Sequence, residues 1–279
     1  MAGREGSGGR CAVVAIVSGG PDSFGYMLSW LEKGCRVHAL SFNYGQKAGK
    51  EVLVARKLLE RAKEIAAERG WGEIVEHRLI DISFMKSIWR GTQLTDEEVG
   101  VEKDYTTSVV VPIRNVVLLS IGAAYAYSIL ERDPSVERLI LAYGAHTNDI
   151  QPRPDTGEPL YPDCSPECIE ALQTAFRLCH FRSLRRIEVW SPSREGFSKD
   201  DMLRQTYKRV GKLLYETWSC YLDGEYHCGK CESCVNRHKA FKRSGLPDCT
   251  KYEAPPGDPA EFVKKEGYYL HKSCTGDEQ

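Results

Sequence analysis

The stretch Ser18-Gly19-Gly20-Pro21-Asp22-Ser23 decides the fold, because it joins two segments of different periodicity. Before it, the run 11–17 is continuously apolar and rich in valine, which is typical of a strand buried on both faces of a parallel sheet. After it, the segment 24–31 opens a helix. Two glycines let the backbone approach a ligand closely, and the amides of the turn and of the helix N-terminus attract an anion. We therefore predict a phosphate-binding turn at the carboxyl end of the first strand.

This turn differs from the common phosphate-binding loop, which requires a lysine after its last glycine. No lysine follows Gly20 in this way. Ser18 and Ser23 offer hydroxyl donors, whereas the carboxylate of Asp22 cannot bind a phosphate directly, so we expect Asp22 to orient the turn or to hold Mg²⁺. The alternative is a tight strand-to-helix turn that binds no ligand.

Size, composition and charge limit the classes of protein that the chain can form. Its 279 residues are 42% hydrophobic and can bury a sizeable core, which suits one α/β domain with an appendage or two small domains. The net charge of −1 gives no global field that favours nucleic acid or an anionic membrane. We find no apolar run of the roughly 18 residues that a spanning helix needs. We therefore expect no membrane segment and no direct nucleic-acid partner.

The first ten residues and the cysteines are typical of a cytoplasmic protein. Residues 1–10 are rich in glycine and lack an apolar segment, so we predict a flexible leader rather than a signal peptide. Eleven cysteines without a secretion signal indicate thiol and metal chemistry in a reducing compartment. Cys11, Cys35 and Cys179 lie in apolar surroundings and are expected to be core residues.

Strand and helix patterns alternate along most of the chain. Further strands are expected at 36–42, 73–80, 138–143 and 185–190, and further helices at 47–69, 116–131, 166–179 and 199–210. This alternation predicts an open parallel sheet with helices on both faces. Because ligands bind at the carboxyl ends of such strands, the turns 18–23, 44–46 and 144–149 are expected to open into one crevice. The long loop 144–164 is predicted to be functional, and the charged, irregular segment 81–108 is interpreted as an exposed excursion or a lid.

The last clear motif is a set of four closely spaced cysteines: Cys220, Cys228, Cys231 and Cys234. Four thiolates suit a tetrahedral zinc ion, which would be structural because no coordination position stays open. An iron–sulfur cluster is the rival, since two-residue gaps between cysteines also occur in ferredoxin-type runs, although the proline that follows such runs is absent. Four unrelated free thiols are the third interpretation. We expect His227 and His238 to lie at the surface or behind the ligands.

The chain beyond residue 246 is rich in proline, glycine and charge. We expect the aromatic run 268–271 to anchor this tail and residues 275–279 to stay unpacked. The sequence assigns no partners to Cys249 and Cys274. The basic stretch 236–243 is interpreted as a solvated helix face rather than as a nucleic-acid site.

Four motifs stand in a fixed order, and together they resemble the 7-cyano-7-deazaguanine synthases of the queuosine and archaeosine pathway. They are Ser18-Gly19-Gly20-Pro21-Asp22-Ser23, Val111-Pro112-Ile113-Arg114-Asn115, Tyr161-Pro162-Asp163-Cys164, and Thr217-Trp218-Ser219-Cys220 with Cys228-Gly229-Lys230-Cys231-Glu232-Ser233-Cys234. The first motif resembles the pyrophosphate loop (PP-loop) of N-type ATP pyrophosphatases. The segments 42–46 and 237–245 fit the same family, and the resemblance covers about residues 12–248.

The resemblance implies an adenine nucleotide alpha hydrolase-like fold with a small C-terminal zinc-binding appendage. The implied parts are a flexible leader 1–10, a PP-loop ATP-binding α/β domain 11–215, a Cys₄ zinc-binding region 216–248 and a tail 249–279. The implied enzyme is an ATP-dependent C–N ligase that acts as a homodimer. With ATP, Mg²⁺ and ammonia it converts 7-carboxy-7-deazaguanine, through an adenylated acid and an amide, to 7-cyano-7-deazaguanine.

The resemblance also implies the residues of the site. The ATP-binding residues are Val17, Ser18, Gly19, Gly20, Pro21, Asp22, Ser23 and Phe24. The substrate-binding or catalytic residues are Phe42, Tyr44, Gln46, Arg114, Asn115, Asp149, Tyr161, Asp163, Cys164 and Lys199. Lys199 and Arg114 are expected to neutralise phosphates, and Asp163 to accept hydrogen bonds from the guanine-like edge. Tyr161 or Phe42 would provide a flat face for the deazapurine.

Several assignments have a structural alternative. Arg114 and Asn115 are also placed to cap the helix that follows them. Asp163 is placed to cap the next helix, a role for which Ser165 is equally suited. Lys199 is also consistent with a surface charge in a first helical turn.

Departures from the family pattern leave other functions open. Pro21 and Phe24 replace an aliphatic and a small hydroxyl residue, and the segments 89–104 and 150–159 look added. A related ATP pyrophosphatase that transfers a deazapurine or other acid to a different amine is therefore the alternative. A tRNA thiolase would need a reactive cysteine, for which Cys164 is the candidate. A zinc-containing module that binds nucleotide or RNA without turnover is a further class.

Overall fold

The computed structural model describes residues 11–180 and 186–276. The expected leader 1–10, the start of the predicted fifth strand at 185 and the end of the tail at 277–279 lie outside these residues. The strands of the main sheet are β1 (Cys11–Ile16), β2 (Arg36–Asn43), β3 (Ile74–Asp81), β4 (Arg138–Ala142) and β5 (Ile187–Trp190). They pair in parallel in the order β3-β2-β1-β4-β5, so the predicted parallel sheet is confirmed.

Helices cover both faces of this sheet, as predicted. The described residues form α1 (Pro21–Glu32), α2 (Lys50–Arg69), α3 (Arg114–Arg132), α4 (Pro166–Leu178), α5 (Lys199–Val210) and α6 (Glu232–Ser244). One core lies beneath α1, α2 and α5 and includes Val13 and Leu58. A second core lies beneath α3 and α4 and includes Val14, Leu119 and Ile169. Successive residues of β1 thus enter opposite cores, because side chains alternate across a strand.

The strand order reverses at β1, whose two neighbours are β2 and β4. At such a point the crossover connections leave in opposite directions and open a crevice at the carboxyl ends of the strands. The buried Tyr26 hydroxyl lies 3.0 Å from the Ala142 carbonyl oxygen and 2.5 Å from that of Ile16. The Tyr26 hydroxyl therefore ties the carboxyl end of β1 to that of β4.

The segment 81–108 is exposed at Glu97, Glu98, Glu102, Lys103 and Asp104, as its charges suggest, but residues 92–96 are buried. Leu94 is buried in the core beneath α3. Gln93 is fully buried, and its side-chain amide donates to the hydroxyls of Thr106 and Ser108 at 3.0 and 2.9 Å. The expectation of exposure was wrong for residues 92–96, because polar side chains there form hydrogen bonds within the segment and can therefore be buried.

The stretch Thr107–Arg132 is long and apolar enough to cross a membrane by length and composition alone, contrary to the expectation that no apolar run reaches that length. Its helical part is α3, which packs against β1 and β4. Leu119, Ala123 and Ala126 are buried in the core beneath it. The stretch is therefore a core helix of the α/β fold.

Two disulfides correct the expectations for the outer cysteines. Cys35 lies in the core beneath α1 and Cys11 packs against it, as expected, but the two are joined in a disulfide. Cys249 is joined to Cys274, for which the sequence assigns no partner. Cys179 is exposed instead of lying in the core. The pairs escaped prediction because their members meet only in the folded chain, as when β2 comes to lie beside β1.

The C-terminal part of the chain packs around the four clustered cysteines. β6 (Phe262–Lys265) and β7 (Tyr268–His271) form an antiparallel hairpin, which Tyr252 joins through a bridge to Tyr269. Tyr252 and Phe262 are buried beside the cysteines. The aromatic run 268–271 therefore anchors the tail, as predicted.

Candidate active site

The turn between β1 and α1 has the geometry of an anion-binding loop. Gly19 has a φ of +91°, a conformation that residues other than glycine rarely adopt. A Cβ atom at this position would lie 2.6 Å from the Glu51 carbonyl oxygen, so close packing also requires glycine here. α1 begins after Gly20 without a side-chain cap. The first amides of the helix therefore stay available to an anion.

The two serines of the loop have different roles. Ser23 is buried, and its hydroxyl donates to the Gly20 carbonyl oxygen at 3.1 Å and accepts from the Ser18 amide at 3.2 Å. Ser18 is exposed, lines the cavity described below, and keeps its hydroxyl 3.2 Å from that of Ser23. Ser23 thus shapes the loop, whereas the Ser18 hydroxyl accepts from the Gly20 amide at 3.4 Å and can turn its proton from Ser23 to a ligand in the cavity.

A segment far along the chain supports the loop from outside. The Trp218 amide donates to the Gly19 carbonyl oxygen at 2.9 Å. The Lys50 ammonium lies 4.0 Å from the centre of the Trp218 ring. Trp218 and Ser219 then form part of the cavity wall. The position of the loop therefore depends on a region outside the sheet.

The loop opens into a cavity of about 260 Å³ at the carboxyl ends of the strands. The three turns expected to converge here all contribute, through Asp22, Tyr44 and Asp149 among others. A second cavity of about 370 Å³ adjoins the first, and six residues line both: His146, Asp149, Tyr161, Lys199, Tyr221 and Ser233. The crevice is thus continuous with a second recess beside α6.

Four charged or titratable side chains lie at the centre of the cavity wall. The Nζ atom of Lys199 lies 3.1 Å from Oδ2 of Asp22. His146 stands between two carboxylates, with Nε2 3.7 Å from Asp22 Oδ2 and Nδ1 3.4 Å from Asp149 Oδ2. Lys199 is the first residue of α5, which Ser198 caps as predicted. The helix start therefore fixes Lys199 beside the phosphate loop.

These groups shift one another's pKa values. Burial alone would raise the pKa of Asp22, but the charges of Lys199 and His146 outweigh it and hold that pKa well below its usual range. Burial alone would lower the pKa values of Lys199 and His146, but the nearby carboxylates raise both. At Asp149 burial prevails and raises the pKa. The cluster therefore keeps Lys199 positively charged beside the loop.

A second polar group in the cavity consists of Glu51, Arg114 and Tyr44. Burial raises the pKa of Glu51 to about 8, against the opposing effect of the Arg114 charge. Arg114 donates to the Tyr44 hydroxyl at 3.4 Å, and burial raises the pKa of Tyr44 to about 12. A carboxyl group with a pKa near the working pH can exchange a proton with a substrate.

Asp163 is bound to Asn115. Its Oδ2 accepts from the Asn115 backbone amide at 3.0 Å, and its Oδ1 accepts from the Asn115 side chain at 3.1 Å. Since Asn115 lies in the first turn of α3, the carboxylate caps that helix from a distant loop. The following helix is capped instead by Ser165, which accepts from the Cys168 amide at 3.2 Å. A guanine-like edge would have to displace the bonds to Asn115.

Cys164 is a buried thiol in the cavity wall. Its Sγ atom accepts from the Asn115 side chain at 3.4 Å. Burial raises the pKa of this thiol well above its ordinary value, so it stays protonated. The thiolate is the nucleophilic form of cysteine. The surroundings of Cys164 therefore do not favour the covalent sulfur chemistry of a thiolase.

Most of the predicted site residues line the cavity: Ser18, Gly20, Pro21, Asp22, Ser23, Tyr44, Arg114, Asn115, Asp149, Tyr161, Cys164 and Lys199. Six do not: Val17, Gly19, Phe24, Phe42, Gln46 and Asp163. Val17 and Phe24 are fully buried in the core. Gln46 turns back and donates to the Phe42 carbonyl oxygen at 3.1 Å. These residues shape the site from behind.

Several residues of the cavity wall were not predicted from the sequence, among them Glu51, His146, Ser219 and Tyr221. His146 had a usable signal, because it lies in the loop 144–164 that was predicted to be functional. Glu51 was hidden in a regular helical pattern. Ser219 and Tyr221 flank the metal-ligand candidate Cys220, and their residue types alone do not distinguish a place in the cavity wall from a place beside the metal.

The four predicted metal ligands meet at one buried point. Their sulfur atoms all lie within 4.8 Å of one another, with Cys228 and Cys234 3.9 Å apart and Cys231 and Cys220 4.0 Å apart. A tetrahedral zinc site with Zn–S bonds of about 2.3 Å needs sulfur atoms about 3.8 Å apart, so the cluster fits zinc. The Leu222 amide donates to Cys220 Sγ at 3.4 Å, which stabilises a thiolate.

The histidines beside this cluster are buried and lie behind the ligands. His227 accepts from the Ser219 amide at 3.3 Å through Nε2, and burial lowers its pKa well below the ordinary value. His238 lies with Nδ1 3.0 Å from Asp248 Oδ2. Both histidines therefore support the surrounding chain. Of the two expected positions, at the surface or behind the ligands, the second is the one observed.

A parallel sheet with an anion-binding turn at its switch point and a charged lysine beside that turn defines a phosphate-binding α/β protein, here with a C-terminal metal-ligand cluster. The model of the family described as "Queuosine biosynthesis protein QueC" matches residues 12–245. The chain therefore belongs to the QueC family.

Curated relatives agree with this membership. The 7-cyano-7-deazaguanine synthase of Psychromonas ingrahamii is 34% identical, over 86% of this chain and 97% of its own length. That of a Marinomonas species is 35% identical, over 86% of this chain and 98% of its own length. The predicted enzyme, a 7-cyano-7-deazaguanine synthase of queuosine biosynthesis, is thereby confirmed.

One solved structure is also similar, that of an NH3-dependent NAD synthetase from Campylobacter jejuni. It is 14% identical, and the match covers 75% of this chain and 88% of that chain. The TM-score of 0.27 is too low for this likeness to bear on the fold or the function.

Proposed function

We propose that this one cavity activates 7-carboxy-7-deazaguanine twice with ATP and Mg²⁺, and with ammonia converts it to 7-cyano-7-deazaguanine. The observation that supports this proposal best is the junction of the phosphate loop with Lys199, whose Nζ lies 3.1 Å from Asp22 in the same cavity wall. A carboxylate is a poor electrophile, because its oxygen is a poor leaving group. Adenylation provides a good leaving group, and it requires a site that holds pyrophosphate.

In the first half of the reaction, a carboxylate oxygen of the acid attacks the α-phosphorus of ATP. The bond between that phosphorus and the bridging oxygen breaks, and pyrophosphate leaves. Ammonia then attacks the acyl carbon, AMP leaves, and one proton is released. The product is the amide.

In the second half, the amide oxygen attacks the α-phosphorus of a second ATP, and pyrophosphate leaves again. The nitrogen loses both protons and the carbon loses AMP, which leaves the nitrile. We assign the acceptance of a nitrogen-bound proton to Glu51, which lines the cavity and has a pKa of about 8. A base with this pKa works efficiently near neutral pH.

The residues of the loop would bind the pyrophosphate part of ATP. The free amides at the start of α1 and the Ser18 hydroxyl donate to its oxygens, and Lys199 neutralises the charge that develops there. The Oδ1 atom of Asp22 is buried without a hydrogen-bond partner among the described residues. Such a carboxylate oxygen suits the Mg²⁺ that accompanies ATP.

The deazapurine would lie toward Tyr161, whose ring meets that of Tyr105 edge-on at 5.8 Å. Arg114 would neutralise a phosphate or the carboxylate of the acid. We assign Asp163 a supporting role, because its two oxygens hold Asn115.

We infer one structural zinc ion per chain, bound by Cys220, Cys228, Cys231 and Cys234. Four thiolates fill a tetrahedron, so no position is open for water, and the ion would hold the region together without entering the chemistry. Metal analysis of the purified protein tests this, and Cys231→Ala should lower zinc content and solubility together. Iron with a visible charge-transfer band would favour the rival iron–sulfur cluster.

A homodimer in the cytoplasm is proposed from the family alone, and sedimentation velocity tests the dimer. Disulfides are rare in most reducing compartments. Rapid alkylation of free thiols in fresh lysates, followed by mass spectrometry, therefore tests the location. Alkylated Cys11 and Cys249 would indicate a reducing compartment, whereas unmodified, disulfide-bonded cysteines would indicate an oxidising one. We also propose the division into an α/β domain 11–215 and a zinc-binding region 216–248, with the tail from 249 packed on that region.

The overall reaction is tested with purified protein, ATP, Mg²⁺, ammonium and 7-carboxy-7-deazaguanine, with products followed by mass. The expected result is the amide followed by the nitrile, with two AMP formed per nitrile. Acyl adenylate without amide or nitrile would indicate a different amine acceptor, which is the alternative function. No ATP turnover with the acid would refute the proposal.

A further inference from the structure

Arg237 is a buried arginine with an unusual set of partners. It lies in α6, is 0% exposed, and has no ion pair with a carboxylate among the residues that the structure describes. Its three acceptors are hydroxyl groups: Thr250 accepts from Nε at 2.8 Å, and Thr217 and Ser219 accept from Nη1 at 3.0 and 3.4 Å. The buried Asp248 carboxylate lies near enough for the Arg237 charge to lower the pKa of Asp248, but it accepts no hydrogen bond from the guanidinium. The hydrogen bonds of this buried cation therefore go to neutral hydroxyl groups, and Nη2 has no partner among the described residues.

The guanidinium determines where the two hydroxyl protons point. It donates hydrogen bonds and cannot accept them, so the hydroxyls of Thr217 and Ser219 must accept from it. Thr217 then donates its proton to the Leu214 carbonyl oxygen at 2.7 Å in the interior. The Ser219 hydroxyl has no second partner among the described residues, and Ser219 lines the cavity. The proton of Ser219 is therefore free to be donated into the cavity.

Ser219 lies beside the phosphate loop and is held on both sides. The preceding Trp218 amide donates to the Gly19 carbonyl oxygen at 2.9 Å, and the Trp218 carbonyl oxygen lies 3.5 Å from where a Cβ of Gly20 would be. The following residue, Cys220, belongs to the metal-ligand cluster. The chain on both sides of Ser219 is thus held in place, and Ser219 lines the same cavity as Gly20.

We propose that Ser219 binds the pyrophosphate part of ATP through its hydroxyl, and that Arg237 is the positioning residue that directs this hydroxyl. A hydroxyl that accepts from a cation is polarised and becomes a better donor to an anion. The ligand is a polyphosphate, and AMP would not reach this group. The inference rests on the proposed function, because it requires ATP in the cavity.

The test compares Ser219→Ala with Thr217→Val in the full-length, zinc-loaded protein. Each variant removes one acceptor of the same guanidinium nitrogen, but only Ser219 lines the cavity. Calorimetry gives Kd for a non-hydrolysable ATP analogue, for inorganic pyrophosphate and for AMP, each with Mg²⁺. We expect Ser219→Ala to raise Kd for the analogue and for pyrophosphate about tenfold, as for one lost bond to a charged group, and to leave AMP unchanged. Thr217→Val should lower the melting temperature and leave all three Kd values within about twofold.

Two further variants separate positioning from general stability. Ser219→Thr keeps the hydroxyl and should restore the affinity for pyrophosphate. Arg237→Lys keeps the positive charge but loses the planar set of guanidinium donors, so it should raise Kd for the ATP analogue and for pyrophosphate. In the double variant with Ser219→Ala, these Kd values should be no higher than in Ser219→Ala alone. Zinc content and circular dichroism are checked for every variant, and the Ser219 and Thr217 pair decides the matter if Arg237→Lys does not fold.

The outcomes are distinct. Unchanged Kd values in Ser219→Ala, or an equal loss for AMP and pyrophosphate, would overturn this inference while the proposed function stands. Wild-type protein that binds neither the ATP analogue nor pyrophosphate would overturn both.

Discussion

Replacing Asp163 with alanine should destabilise the fold, because its carboxylate holds the start of α3. The two bonds to Asn115, at 3.0 and 3.1 Å, tie the loop 144–164 to the helix that forms one wall of the cavity. One bond satisfies a backbone amide of the first turn, and the charge lies at the positive end of the helix. Asp163→Ala leaves both donors without this partner.

The expected loss follows from these contacts. Hydrogen bonds to a charged group contribute about 1.5–3 kcal/mol each, and because the two share one carboxylate we expect about 3 kcal/mol for the pair. At about 2.1 cal/mol/K of unfolding entropy per residue, a destabilisation of 1 kcal/mol lowers the Tm of a 279-residue chain by roughly 2 °C. Asp163→Ala should therefore lower Tm by about 5 °C.

Differential scanning calorimetry measures the loss, and Ser165→Ala is the matched control. Ser165 caps α4 with one neutral bond of 3.2 Å, so its removal should cost about 1 kcal/mol. The steady-state KM for 7-carboxy-7-deazaguanine is measured in parallel at a temperature where both variants are folded. An Asp163→Ala protein with an unchanged Tm and a KM raised fiftyfold or more would refute the structural role. That result would show that the Asp163 carboxylate binds the substrate directly.

Three other changes test separate parts of the molecule. Lys199→Met removes the ammonium 3.1 Å from Asp22 and should slow ATP–pyrophosphate exchange at least about 100-fold, with normal zinc content. Glu51→Gln tests the base: starting from the amide, so that no ammonia titrates, wild-type nitrile formation should rise with pH until about 8, because only the deprotonated carboxylate accepts a proton. Glu51→Gln should lose this rise in rate with pH. A pH profile parallel to that of wild type would contradict the assignment of Glu51 as the base. Cys274→Ser removes the disulfide to Cys249, which closes a loop of 25 residues. The variant should lower the free energy of unfolding of the tail by about 3 kcal/mol. Amide hydrogen exchange should become faster in β6 and β7 first. Unchanged protection in these strands would contradict the prediction that the disulfide stabilises the tail.

The parallel sheet was predictable because its strands carry strong local signals. β1 is apolar on both faces, and the glycine pair behind it marks the turn that a close backbone approach requires. The metal ligands were predictable for a similar reason, since cysteine spacing along the chain survives into the folded cluster.

The parts that escaped prediction depend on contacts between distant segments. Glu51 carries no local mark that separates it from other helical glutamates, and its raised pKa arises only when the site closes around it. The motif of Asp163 implies a substrate-binding carboxylate, and only the folded chain shows that both of its oxygens also accept hydrogen bonds from Asn115. The pairing of Cys11 with Cys35 likewise depends on which strands become neighbours. The local sequence pattern predicts helices and strands. The pKa values of buried side chains and their hydrogen-bond or disulfide partners depend instead on which segments meet in the folded chain.

The backbone bond from Trp218 to Gly19 joins residues about 200 positions apart in the chain, and it has a consequence for biosynthesis. A ribosome adds roughly 5–20 residues per second, so the phosphate loop emerges many seconds before the segment that supports it. Nascent chains that end before Cys234 lack a complete metal-ligand set and should bind pyrophosphate only weakly. If the proposed nucleotide and zinc sites are right, the nucleotide site should mature last, after synthesis has passed the cysteines and zinc has bound.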